Sequence, residues 1–188
     1  MKTKNLMSAF MLVCLLFVST MTFAQKEKTV NVGGAPMYPS KNIIENAVNS
    51  KDHTTLVAAV KSAGLVETLQ GKGPYTVFAP TNAAFDKLPK GTVETLLKPE
   101  NLKTLQTILT YHVIAGKMNS SDIAKAIKAG NGKATLKTVS GGILTAWMKG
   151  KDLYLTDENG NSSKVTIADV NQSNGIIHVV DTVVTPKS

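Results

Sequence analysis

Apolar and polar residues change rhythm once along this chain, near residue 132. Upstream, apolar positions recur at helical spacing; downstream, they alternate. Asn42 opens a short helix over 42–48, and Asp52 or Thr54 starts the next, where Leu56, Val57, Val60 and Ala63 form one stripe before Gly64 ends it. Leu65, Val66 and Leu69 carry another turn or two, and short helices follow over 81–88 and 92–97, separated by Pro89 and Gly91. Pro99 and Glu100 suit a first helical turn, behind which Leu102, Leu105, Ile108 and Leu109 face a core and His112 extends the stripe at its end. Val113 and Ile114 then leave the helix for a strand. Ser120 or Ser121 caps a helix through Ala129 with Ile123 and Ile127 inward. The alternating segments 134–139, 143–148 and 153–156 are strands, joined at Gly141-Gly142, Lys149-Gly150 and Asn159-Gly160, and 164–170 and 175–184 complete the set. Helices first and strands last predict an α+β domain.

Two stretches are apolar on both sides. In 73–85, GPYTVFAPTNAAF, Tyr75, Val77 and Ala79 project one way and Thr76 and Phe78 the other; Pro80 closes the strand and Thr81 caps the helix beyond it. Such a strand is buried. The stretch 174–186, NGIIHVVDTVVTP, has the same character, so the two are predicted to be neighbours in one sheet. Alternation there places His178 with Ile176, Val180 and Val184, and Asp181 with Ile177, Val179 and Val183, each as a polar group on an apolar surface.

At the front, Lys2 and Lys4 precede an apolar run over 6–18, and Thr22-Phe23-Ala24 offers small residues where a signal peptidase reads. Residues 1–24 are therefore predicted to be a secretory signal peptide cleaved between Ala24 and Gln25. The run falls short of the ~20 apolar residues of a membrane span. A lipid anchor on Cys14 is set aside because Val13 precedes it where a small residue is required. Residues 25–40, interrupted by Gly33-Gly34, Pro36 and Pro39, are predicted to lack a regular element and to act as a flexible tether to a single domain over 41–186.

Cleavage changes the composition. Removing the first 24 of 188 residues leaves 164, takes away the only cysteine, and lowers the net charge from +8 to +6 because Lys2 and Lys4 leave. A thiol nucleophile, a Cys-ligated metal and a redox role go with that cysteine. The remaining chain can bury roughly 70% of its unfolded surface without a disulfide. All 21 basic residues are lysine, so no guanidinium fork is present to read guanine edges, and basic and aromatic residues do not interleave. Nucleic acid is therefore not an expected partner, whereas an acidic polysaccharide or anionic cell surface suits a lysine-rich face.

No nucleophile elbow, zinc-binding helix, phosphate loop or dinucleotide fingerprint occurs. His53, beside Asp52 in a first helical turn, is expected to be exposed and silent. His178 and Asp181 lie three apart on a strand and cannot pair directly, which makes both structural. The run from Asp157 to Asn161 lacks the calcium-loop pattern and is read as a polar hairpin. No catalytic, cofactor or metal residue is assigned. Asn119, Asn161 and Asn171 head glycosylation sequons, which matter only in a glycosylating host.

The residues Thr76, Val77, Phe78, Ala79, Pro80, Thr81, Asn82 and Phe85, the pair Tyr111-His112, and the run Asn174, Gly175, His178 and Asp181 resemble, in order and spacing, the three motifs of the fasciclin (FAS1) family. The resemblance implies a fasciclin-like fold, a β-sandwich or wedge of about seven strands with several short helices packed on it. It implies an extracellular or surface-associated module without a cofactor, acting in cell adhesion or matrix interaction, and the layout resembles small bacterial secreted members. In animal relatives, integrin binding has been placed on an Asp-Ile sequence before the last motif and around the Tyr-His pair. Carried over, these regions are Asp169-Val170 and Tyr111-His112, with Ile167, Ala168 and Asn171 departing from the animal pattern. The expected partner is a protein or polysaccharide at the cell surface or in matrix. A lone domain adheres multivalently only as an oligomer or with a second partner. Two alternatives stay open: a binder of a small apolar ligand or polysaccharide, which requires a pocket with convergent polar groups, and a hydrolase using His112 as base, which requires Ser, Asp and His in one cleft.

Overall fold

The computed structural model describes residues 27–187. The leader, Cys14 and the Ala24-Gln25 junction lie outside the described residues. The first described elements correct the tether: Val30–Val32 (β1) and Ala35–Met37 (β2) pair as an antiparallel hairpin. Gly33 and Gly34, at φ +60 and +78, supply its left-handed turn, and Val32 and Met37 are buried in the core. The glycines that argue against regular structure are what permits the turn.

Helices Ile43–Ala47 (α1), Thr54–Ser62 (α2) and Val66–Gln70 (α3) follow, then strand Tyr75–Pro80 (β3). Asn42 and Glu45 form a capping box at the start of α1. Next come Asn82–Phe85 (α4), capped by the Thr81 hydroxyl, Thr92–Leu96 (α5), Leu102–Tyr111 (α6) and Val113–Ala115 (β4). Ser120–Ala129 (α7) is capped by Asn119 rather than by a serine, because Asp122 completes a capping box with it. Strands Lys133–Lys137 (β5), Ile143–Lys149 (β6), Asp152–Thr156 (β7), Ser162–Gln172 (β8) and Gly175–Val180 (β9) close the chain.

Seven strands form one mixed sheet in the order β4-β3-β9-β8-β7-β6-β5. The two apolar segments are neighbours: β3 pairs with β9 in parallel, from Tyr75 opposite Gly175 to Pro80 opposite Val180. Every other pairing in this sheet is antiparallel. The sheet curls almost shut, and the Val139 amide, just past β5, donates to the Val113 carbonyl of β4 at 2.8 Å.

Curling creates two cores, one on each side of the β3–β9 pair. Val77, Ala79, Ile177 and Val179 face Ile44, Val60, Leu105 and Leu109 of the helical layer. Phe78, Val180 and Val184 face inward with Leu144, Leu155, Ile123 and Ile127, so α7 plugs the open side of the curl. Both faces of the central strands thereby exclude water, as their unbroken apolar character predicts. Leu102 departs from the expected stripe and is 39% exposed at the first turn of α6.

Candidate functional site

The motif residues hold the fold together from inside. Thr76 Oγ1 donates to the Gly116 carbonyl at 2.7 Å and accepts from the Met118 amide at 2.9 Å, tying β3 to the segment between β4 and α7. Asn82 Oδ1 accepts from the Thr55 amide at 3.0 Å, and its Nδ2 donates to the Lys51 carbonyl at 2.9 Å, closing the entry to α2. Asn174 joins three segments: its Oδ1 accepts from the Ile43 amide at 3.1 Å, and its Nδ2 donates to the carbonyls of Leu69 and Gly71 at 2.7 and 2.9 Å. Thr76 and Asn174 thereby satisfy backbone groups that would otherwise be stranded in the interior, while Asn82 acts nearer the surface.

Tyr111 is fully buried; its hydroxyl donates to the Ile143 carbonyl at 2.6 Å and accepts from the Glu158 amide at 3.2 Å. Burial pushes that hydroxyl up to about 12. Gly142 lies against the ring, where a Cβ would come within 2.7 Å of Cε2. His112 sits beside it with both ring nitrogens engaged. Nδ1–H donates to the Ile108 carbonyl at 2.9 Å, and Nε2 accepts from the Val184 amide at 3.2 Å. Only the neutral ring satisfies both partners. Burial accordingly lowers its pKa to about 4, offsetting the opposing pull of the Ile108 carbonyl and Asp157.

His178 repeats the arrangement on β9. Its Nε2–H donates to the Met118 carbonyl at 2.9 Å, its Nδ1 accepts from the Asp169 amide at 3.3 Å, and its ring stacks on Phe78 at 5.6 Å. Burial again lowers its pKa.

Asp169 stands in an irregular stretch of β8 at φ +62, and its Oδ1 accepts from the Ser120 amide at 2.7 Å while Ser120 Oγ donates to Oδ2. It braces the first turn of α7, where a negative charge is favoured. Ser120, Asp169 and His178 are thus gathered, but not in catalytic order. The serine donates to the carboxylate rather than to the ring, and the histidine is fully buried with its Nε2 on a carbonyl. Replacing Asp169 with Ala is expected to destabilise the protein by about 2 kcal/mol, since two charge-assisted hydrogen bonds go and a left-handed backbone remains. Asp169→Asn, which tolerates that backbone, should lose about half as much in a urea titration.

Of the four residues carried over as interaction sites, Tyr111, His112 and Val170 are buried, and only Asp169 is partly exposed. His53 is a correction: it is 1% exposed, not solvent-facing, because its turn, held to Gly33 by the Lys51 amide at 3.1 Å and packed on α4, turns the ring in among Val77, Ala79 and the helical layer. Its Nδ1 meets Ser50 Oγ at 2.9 Å, and its Nε2 has no hydrogen-bond partner among the described residues. Burial lowers its pKa. Asp181 is a second correction. The strand stops at Val180, so Asp181 leaves the apolar face, accepts from the Lys164 amide at 2.9 Å and lies 3.5 Å from Lys87 Nζ. The Asp157 carboxylate is fully engaged by hydrogen-bond donors, accepting from the amides of Asn159, Asn161 and Thr185 at 3.0, 2.8 and 3.0 Å, which makes the loop a braced hairpin.

An apolar cavity of about 70 Å³ lies between the helical layer and β3, lined by Ile44, Leu56, Val60, Leu109, Val77 and His53 among others. Pockets that enclose drug-sized ligands hold ~300–1,000 Å³. This one is a packing void.

The outward face of β5–β8 is built differently. Register places Lys133, Trp147, Tyr154 and Lys164 in one row across four strands, with Thr135, Thr145, Thr156 and Ser162 in the next. The rings of Trp147 and Tyr154 stack at 4.8 Å, and Trp147 Nε1 donates to Thr156 Oγ1 at 2.9 Å. Sequence reading missed this row: alternation shows which residues face outward, but not which of them align across strands.

A nearly closed seven-stranded sheet, a helical layer over its parallel pair and motif residues that tie these layers together define a helix-covered β module. A fasciclin domain family model matches residues 51–186. Protein sll1483 of Synechocystis is 43% identical over 160 residues, 85% of this chain and 82% of its own length. The cell surface glycolipoprotein MPT83 of Mycobacterium tuberculosis is 38% identical over 145 residues, 74% of this chain and 58% of its own. Among solved structures, a FAS1 domain pair from the insect cell adhesion molecule fasciclin I matches with a TM-score of 0.68 at 16% identity, over 84% of this chain and 57% of that one, and shares the fold. The chain belongs to the fasciclin domain family.

Proposed function

We propose that this protein is a secreted or surface-associated binding module that attaches cells to matrix or to one another, and that it is not an enzyme. The supporting observation is the disposition of the polar motif residues. His112, His178, Tyr111 and Asn174 have their hydrogen bonds satisfied within the fold, so recognition is left to the outer surface. The names of MPT83 and fasciclin I, a cell surface glycolipoprotein and a cell adhesion molecule, agree with this reading. In it, the leader over 1–24, cut between Ala24 and Gln25, exports the chain to the periplasm or beyond. Tyr111-His112 and Asp169-Val170 shape the surface from beneath, with Asp169 the one side chain of the four placed to meet a partner. Among the described residues no helix is long and apolar enough to cross a membrane, in keeping with attachment through a partner.

The test is capture of cell-envelope polymers and matrix proteins by immobilised purified protein. Retention of one such class is expected, and retention of none would overturn the proposal. Retention unchanged in Asp169→Ala would remove that residue from the contact.

A further inference from the structure

We infer that the outer face of β5–β8 binds a carboxylated polysaccharide, a polymer of uronic-acid type; this rests on the surface-binding reading above and names its ligand class. The row Lys133, Trp147, Tyr154 and Lys164 spans three inter-strand spacings, about 14 Å, room for several sugar rings in line. Its inward alternates, Ala134, Leu136, Ala146, Leu153 and Leu155, are buried, so the row faces water. Trp147, Lys133, Thr145 and Thr156 line a shallow depression.

Each part has a matching chemistry. The indole offers an apolar wall to the C–H face of a pyranose, and its bond to Thr156 fixes its orientation. The neighbouring row of hydroxyls both donates and accepts, as sugar hydroxyls require. Charge selects the acidic polymer. The outward positions of these strands carry Lys133, Lys137, Lys149 and Lys164 against Asp152 as the acidic residue, and Asp152 is already held by Lys164 at 2.7 Å. That pair also shows an ammonium of this row engaging a carboxylate. A lysine is a point charge, suited to scattered carboxylates along a polymer and not to the paired edges of a base.

A cross-strand aromatic pair also reinforces its sheet. That role places no demand on the row of hydroxyls or on the flanking cations. Single-stranded nucleic acid, the other polyanion that uses aromatics, stacks successive bases on aromatics spaced along a basic groove, and here the two rings form one stacked pair with no further aromatic in the row.

The experiment is calorimetric titration of the purified protein with polygalacturonate, neutral dextran and oligothymidylate. Polygalacturonate should bind, weaken steeply with added salt and outbind both others. Trp147→Ala should weaken it about tenfold, and Lys133→Gln with Lys137→Gln about fivefold. The lysine variant leaves both cores untouched, so it decides the matter should Trp147→Ala fail to fold. Affinity unchanged in the lysine variant, dextran bound as tightly, or oligothymidylate bound in preference would overturn the inference. Absence of polygalacturonate binding would overturn it too. If envelope material is still captured in that case, the adhesion reading stands and only its ligand class falls.

Discussion

Taken from pH 7 to pH 4, the protein is expected to lose about 3 kcal/mol of stability through His112 alone. In the unfolded chain this ring gains a proton near its ordinary value of 6.5; in the fold it does so only near 4. Its contribution is therefore complete above pH 6.5 and disappears as the pH falls to 4, because the unfolded state binds the extra proton first. The physical reason is the fixed tautomer: a proton on Nε2 would confront the Val184 amide. His53 and His178 are shifted in the same direction by burial and add to the loss. Asp181 acts in a lower range. Burial alone would raise its pKa, but the Lys164 amide, the Thr182 hydroxyl and Lys87 lower it on balance, so its contribution goes only below its ordinary 3.8. Urea midpoints at pH 7, 6, 5 and 4 should fall most steeply between 6.5 and 4. A flat profile, or a His112 ring resonance titrating above pH 6 in the folded protein, would contradict the buried neutral ring.

Substituting Gly175 with Ala should destabilise the protein by about 3 kcal/mol, a drop in Tm of roughly 10 °C for a domain of this size. The cause is proximity, not backbone freedom. A Cβ on Gly175 would fall well inside contact distance of the Tyr75 carbonyl oxygen. Gly73 has the reciprocal problem with the Asn174 carbonyl, so two glycines let the parallel strands begin side by side. Tyr75 cannot yield easily, because its amide donates to the Asn174 carbonyl at 3.0 Å and its strand is paired on both sides. Gly160 is the comparison. It has φ +86 with open space around it, and its Ala variant should lose only about 1 kcal/mol. Equal melting temperatures for the two variants would refute the close approach.

These glycines show what the chain discloses about its own fold. Gly73 and Gly175 stand at the starts of their strands, and their role in the close approach depends on segments about a hundred residues apart. What is local was legible: the two-sided burial of 75–80 and 175–180 implies buried neighbours in one sheet, and alternation with hairpin turns downstream of residue 132 implies antiparallel strands. The parallel sense of the β3–β9 pair came only with the structure. The inward position of His112 also followed from its helical spacing. The burial of His53 did not, because its neighbours Asp52 and Thr54 are exposed and the covering elements arrive from elsewhere. The β1–β2 hairpin was hidden by brevity, with Val32 and Met37 as its only fully buried side chains. The Lys133–Lys164 row needed the register of three hairpins at once.

The bond from Val139 to Val113 bears on how copies of this chain meet. A sheet border with bare amides and carbonyls is a template on which another molecule can add a strand and propagate a filament. Here one border, β4, is three residues long, and its Val113 carbonyl is already occupied by the chain's own seam. Crowding at a surface should therefore bring these molecules together through side chains on their faces, leaving each sheet self-contained.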